Sequence, residues 1–242
     1  MRIKAIQKLT LLDFPGKTAA TVFTCGCNLR CPFCHNASLV IGEPEIEGAE
    51  NDGPTVPESE LFELLEKRKG LLDGVAITGG EPLLQPDVAG FIRRIKDMGF
   101  MVKLDTNGFL PERLEALLRE GLVDYVAVDF KHIPEKYGEA VGIPGIDPAP
   151  LLKTVNILKE SGVDHEFRTT IVKGIHEPDD VIGIAKIIGP GEKYYLQMYV
   201  DSGDVLANRT GEAVLDAFTG PEAEEILAGT LKVNPDAKIR GL

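Results

Sequence analysis

No apolar run in this chain approaches the roughly 20 residues a membrane-spanning helix needs. Its first residues, MRIKAIQKLTLLDF, lack the apolar stretch and small-residue cleavage site of a secretory signal. Both absences point to the cytoplasm. Positive charge is scarce: 26 Lys and Arg face 38 Asp and Glu, a net charge of −12. Such a field repels phosphate backbones and anionic headgroups, so neither nucleic acid nor a membrane is an expected partner. Cysteine is absent everywhere except between positions 25 and 34, where all four lie. A disulfide framework would spread them to close useful loops. Low-complexity tracts and exact repeats are also missing. What remains is ordinary globular usage, 43% hydrophobic and 26% charged over 242 residues, enough for one medium domain or two small ones.

Short runs rich in Val, Ile, Phe and Tyr, bounded by Gly, Pro or Asp, predict strands at 19–24, 74–78, 101–105, 125–130, 166–172 and 194–199. Between them, apolar residues recur at helical spacing over 58–69, 86–98, 111–119, 151–161 and 179–188. Pro111 at a helix start, and Gly99, Gly121 and Gly162 just past helix ends, agree with those bounds. Strand and helix alternating six times imply parallel strands joined by right-handed crossovers, in a doubly wound sheet or a partial (β/α)6 barrel. The acidic, Gly- and Pro-rich segment 41–57 reads as a mobile surface loop. After residue 200 the pattern predicts helices near 212–218 and 221–228, then a short ending.

Polar motifs recur where the predicted strands end. They are Cys25-Gly-Cys27-Asn-Leu-Arg-Cys31-Pro-Phe-Cys34-His35-Asn36, Gly79-Gly80-Glu81-Pro82, Asp105-Thr106-Asn107-Gly108, Asp129-Phe130-Lys131, then Arg168 with Thr170, and Gln197. Ligand sites of parallel α/β folds form at that edge, so six motifs there predict one composite site. Four thiols could close round zinc. Zinc sites usually pair two distant knuckles, however, and four thiols from one loop better wrap an iron–sulfur cluster. His132, His165 and His176 are scattered and read as structural or solvent-exposed.

Cys27-x3-Cys31-x2-Cys34, with Phe33 before the last Cys and Gly79-Gly80-Glu81-Pro82 after the next strand, resembles the signature of the radical S-adenosylmethionine (SAM) superfamily. Cys34-His35-Asn36, Leu12-Asp13-Phe14-Pro15-Gly16-Lys17 and Asp105-Thr106-Asn107-Gly108 narrow the resemblance. They are similar to motifs of glycyl-radical-enzyme activating proteins, those of pyruvate formate-lyase and anaerobic ribonucleotide reductase above all. The resemblance covers roughly residues 8–200. It implies a partial (β/α)6 TIM-type barrel in one domain, 1–242, with a core of about 17–200 and a C-terminal helical extension of about 201–242. It implies a 4Fe–4S cluster on Cys27, Cys31 and Cys34, with SAM on the remaining iron, cleaved reductively to a hydrogen-abstracting 5′-deoxyadenosyl radical. Phe33 then packs near the adenine, and Gly79, Gly80 and Glu81 form the turn at the methionine amino group, the glycines by lacking a Cβ. Asp105 and Asn107 hold the amino and ribose ends, and Lys131, paired with Asp129, meets the carboxylate. Arg168 and Gln197 fit later positions along SAM. Cys25 is the spare thiol. With no cysteines for an auxiliary cluster, the electron is expected from a flavodoxin or ferredoxin. The implied partner is a glycyl-radical enzyme, anaerobic ribonucleoside-triphosphate reductase first. The alternatives are a small-molecule enzyme resembling 7-carboxy-7-deazaguanine synthase and a non-enzymatic electron-transfer protein.

Overall fold

The computed structural model describes residues 1–40, 55–201, 203, 205–211 and 215–241. Its strands are β1 (Ile3–Thr10), β2 (Ala19–Thr24), β3 (Gly74–Gly79), β4 (Met101–Thr106), β5 (Tyr125–Asp129), β6 (Asp164–Ile171), β7 (Tyr194–Met198) and β8 (Lys238–Arg240). They form one sheet in sequence order. β1 runs antiparallel to β2, and each later pair of neighbours is parallel. The helices are α1 (Ala37–Val40), α2 (Glu58–Lys67), α3 (Val88–Asp97), α4 (Pro111–Arg119), α5 (Tyr137–Val141), α6 (Ala149–Ser161), α7 (Pro178–Ile188), α8 (Leu206–Thr210) and α9 (Gly220–Leu231). This is the partial barrel of six βα repeats, extended by a strand at each edge.

Strand periodicity divides the sheet into two chemically distinct faces. Val75, Ile77, Val102, Leu104, Val126, Val128, Phe167 and Leu196 alternate onto the face that packs on the helices, all fully buried. The residues between them, Lys103, Asp105, Asp129, Glu166, Arg168 and Gln197, line the inside. A slip of one residue would drive these charges into the apolar layer, so the register is strongly specified. Phe14, from the β1–β2 connection, packs on Ala19 and Tyr125 at the end of the sheet where the parallel strands begin. Helix starts follow local chemistry. In α7, Pro178 takes the first turn while the Glu177 N–H donates to Asp180 Oδ2 at 3.0 Å, a reciprocal cap.

All six expected strands are present within two residues of their bounds. β1 and β8 are additional. The helix expected at 212–218 is not observed where the chain is described: α8 lies earlier and stops at Gly211, φ +70°. Instead the Lys173 N–H donates to the Asp216 carbonyl at 2.9 Å, so the second half of that segment is drawn into a bridge. Residues 212–214 lie outside the described residues, as do 41–54 of the expected loop. Its far end is pinned, since the Val56 N–H donates to the Ile3 carbonyl at 2.7 Å.

Candidate active site

The cysteine loop leaves β2 and turns at Gly26, whose φ of +83° suits glycine. Backbone hydrogen bonds fix it from three sides. Gly26 N–H donates to Leu39 at 2.8 Å, Arg30 N–H to Val141 at 2.9 Å, and the Pro32 carbonyl accepts from Ala207 at 2.9 Å. The Arg30 guanidinium closes the turn on the carbonyls of Cys27 (2.7 Å) and Leu29 (2.8 Å). Leu29 and Phe33 bury their side chains and anchor the loop. Helix α8 therefore helps to position the cysteine loop.

The β3 turn is pressed against this loop. Gly80 N–H donates to Thr24 at 2.9 Å and Glu81 N–H to Gly26 at 2.8 Å. A Cβ on Gly80 would stand 2.0 Å from the Gly26 carbonyl oxygen, and one on Gly79, at φ +116°, 2.4 Å from the Thr24 nitrogen. The missing Cβ atoms therefore make room for the neighbouring backbone, and both glycines also line the cleft. Glu81 lies behind the wall, fully buried. Its carboxylate accepts from Leu83 N–H (2.9 Å), Thr106 Oγ1 (2.9 Å) and Asn107 N–H (2.7 Å), tying the β3 turn to the β4 turn. Burial pushes its pKa up to about 7 despite those donors.

A cleft of about 220 Å³ opens at the ends of the strands. It is lined by Cys27, Cys31, Phe33 and Cys34 from the loop, Gly79 and Gly80, Asp105 and Asn107, Asp129 and Lys131, Arg168, and Gln197. The structure thus brings together every sequence-predicted site residue except Glu81, which supports the wall. Thr78, Thr106, His35 and Asn36 also line it. Thr106 lay within the Asp105–Gly108 motif without a role of its own, and Thr78 had no sequence signal beyond lying beside the glycine pair. Cys25 is buried outside the lining, its carbonyl accepting from Gln85 Nε2 at 2.9 Å.

Charges run in a chain beneath the cleft. Lys103 pairs with Asp105. Arg168 bridges Asp105 (3.3 Å) and Asp129 (2.9 Å), and Asp129 meets Lys131 Nζ at 3.0 Å. Burial alone would raise the pKa of Asp129, but Arg168 and then Lys131 hold it well below the usual carboxylate range. Burial would lower that of Lys131, but Asp129 holds it above its ordinary value. Both groups are therefore ionised. Their pair is half-buried on the wall of the cleft. Behind Lys131, His176 donates from Nε2 to the Lys131 carbonyl (2.7 Å) while its Nδ1 accepts from Val172 N–H (3.1 Å), which fixes a neutral tautomer. His132 stacks on it at 4.9 Å, both rings buried, and His165 meets Glu192 at 2.8 Å, so all three histidines are structural.

The donor set fits an iron–sulfur cluster. Burial raises the pKa of Cys27 and takes Cys31 up to about 12, so these thiols stay neutral at pH 7 until a metal displaces their protons. Cys27, Cys31 and Cys34 all line the one cleft, so three thiolates are available to a group bound there.

The model of the Radical SAM superfamily matches residues 21–187. The chain is 35% identical over 201 residues, 81% of its length and 79% of the relative's, to a Methanocaldococcus jannaschii protein provisionally named a glycyl-radical enzyme activating enzyme. It is 32% identical over 209 residues, 82% of each chain, to the pyruvate formate-lyase-activating enzyme of Clostridium pasteurianum. Among solved structures, Streptococcus suis SuiB bound to S-adenosylmethionine superposes with a TM-score of 0.65 at 15% identity, over 90% of this chain. The chain spans about half of that protein (49%), and the likeness speaks for the fold alone.

Proposed function

The chain belongs to the radical SAM superfamily and, within it, to the glycyl-radical enzyme activating enzymes, and from that premise we propose that it generates the radical on an anaerobic ribonucleoside-triphosphate reductase, drawing its electron from a flavodoxin or ferredoxin. The family's cofactors, a 4Fe–4S cluster and SAM, supply one-electron cleavage of a sulfonium and a carbon radical able to abstract hydrogen. The chain supplies the rest. Cys27, Cys31 and Cys34 hold the cluster. Lys131, kept charged by Asp129, offers N–H donors to a carboxylate, and Asp105 and Asn107 give the opposite wall its polar groups. Leu29, Phe33 and Val40 keep water from a reactive centre.

The observation that carries this reading is the joining of three thiols, the glycine turn and a half-buried, ionised Asp129–Lys131 pair at one strand edge. Glycine Cα–H is a sensible target, because flanking amides stabilise the resulting radical. A folded partner has to present it on a flexible segment. The test uses peptides copied from the glycyl-radical loop of the reductase, with deuterium on the glycine. Expected is 5′-deoxyadenosine carrying that deuterium. SAM cleavage that ignores every such peptide and partner, yet takes deuterium from a small metabolite, would replace this reading with a small-molecule one.

A further inference from the structure

Asn107, in the β4 turn, has its backbone N–H and both polar atoms of its side chain engaged. Its N–H donates to Glu81 Oε2 at 2.7 Å. Its Oδ1 accepts from Phe109 N–H at 3.0 Å. That bond decides which end of the amide is nitrogen, because an NH2 group could not face the Phe109 N–H. The Nδ2 therefore points the other way, with one hydrogen toward Asn28 Oδ1 (2.8 Å) and one toward Cys27 Sγ (3.8 Å). The side chain is 7% exposed, so it is held there by packing as well as by bonding. Within the cysteine loop, Leu29 N–H also donates to the same sulfur, at 3.4 Å.

We propose that Asn107 sets the reduction potential of the cluster by donating an N–H···S hydrogen bond to Cys27, from across the cleft and outside the cysteine loop. This rests on the reading of Cys27 as a cluster ligand. Reduction adds negative charge that spreads onto the ligand sulfurs. A donor aimed at one of them stabilises the reduced form more than the oxidised form, and so raises the potential. In a buried site the dipole is weakly screened, so one bond has a measurable effect. Glu81 extends the device. By holding the Asn107 backbone it fixes the distance from donor to sulfur, which gives the buried carboxylate a reason to stand just behind the wall.

The test is an EPR-monitored redox titration of anaerobically reconstituted protein without SAM, comparing the wild type with Asn107→Ala and Asn107→Asp, iron content being measured first. Variants holding the wild-type iron content should show a more negative midpoint potential, the shift being larger for Asp, which removes the donor and adds negative charge. Midpoints equal to the wild type at equal iron content would overturn the proposal. Should the variants lose their iron, pulsed EPR on the reduced wild-type cluster, with asparagine labelled with 15N in the side-chain amide, decides instead. A weak 15N coupling supports the bond, and its absence overturns it. Cys27→Ala separates the two levels: if that variant keeps about four irons per chain, the ligand assignment has failed, and the proposal fails with it.

Discussion

Each end of the barrel holds a carboxylate paired with a cationic side chain, yet the partners are disposed differently. Where the strands begin, Glu166 is 1% exposed and takes two bonds from Arg240 (3.1 and 3.0 Å) and one from Tyr125 Oη (3.0 Å), while Arg240 stacks on Tyr195. Every strong donor there faces an acceptor, and Phe14 packs on Tyr125 from outside. Where the strands end, Lys131 donates to Asp129 but keeps its ammonium on the wall of the cleft. In the first cluster the donors are spent on acceptors within the chain, whereas in the second an ammonium is left facing the cleft. Two sets of like charges thus serve different ends, and the difference lies in whether the last partner comes from the chain.

The largest expected effect tests the open end at its centre. Replacing Cys27, Cys31 or Cys34 by Ala should abolish SAM cleavage and cluster assembly, read by iron content near four per chain and by product formation. Cys25→Ala should keep most of both, and equal loss in all four variants would mean that the buried thiol outside the lining is a ligand. At the closed end, Arg240→Ala leaves Glu166 short of two bonds. It should cost about 1–3 kcal/mol by urea unfolding, the cost of leaving a buried acceptor short of donors, without changing SAM affinity.

Glu81 stands at the open end but is partnered like Glu166, and its titration should reveal it. Its folded pKa lies near 7, above the ordinary 4.5, because of burial. The native state therefore holds a proton that the unfolded chain releases. This contribution to stability is present below pH 4.5 and is lost as pH rises to 7, on the order of 3 kcal/mol in all. Subtracting the stability of Glu81→Gln from that of the wild type at pH 4.5 and 7.5 isolates it, and a difference that does not move with pH would contradict it. Smallest is Lys131→Ala. Arg168 continues to pair with Asp129, so the fold should be little affected, while SAM affinity by titration should fall ten- to a hundredfold, about 1.5–3 kcal/mol for a charge-assisted contact. Unchanged affinity would make the upper charges as self-contained as the lower.

Much of this was legible because two periods do not resemble one another. Alternation of two marks β2 to β7, spacing of 3.6 marks the helices between them, and the motifs sit at one edge by topology alone. β1 escaped notice because only its ends are buried while Lys4 and Lys8 sit along an edge strand, where charge guards against unwanted pairing. β8 has three residues and no pattern to read. The helix expected at 212–218 had a suitable apolar rhythm, but rhythm cannot foresee that Asp216 pairs with Lys173. Within the site, the motif residues were readable, but the path of Asn107 to Cys27 was not, since 80 residues separate them and only the fold brings their loops together. A signal did exist for the polar interior: Lys103 and Asp105, and Glu166 and Arg168, stand two apart, flanking an apolar Leu104 or Phe167.

The order of the strands in the sheet is also the order in which a ribosome would make them. Each strand from β2 onward docks beside one already synthesised, with no gap left for a later strand to fill, so the sheet can grow at a single edge during translation. The exception in energy, though not in order, is Glu166. It takes its place in β6 while Arg240, the partner of its carboxylate, is 74 residues further along. Until the last strand emerges, the nascent sheet holds a carboxylate inside with Tyr125 as its described donor. Strand β8 therefore acts as a latch on the strands made before it, and a chain cut short before β8 should stall with Glu166 lacking its guanidinium partner.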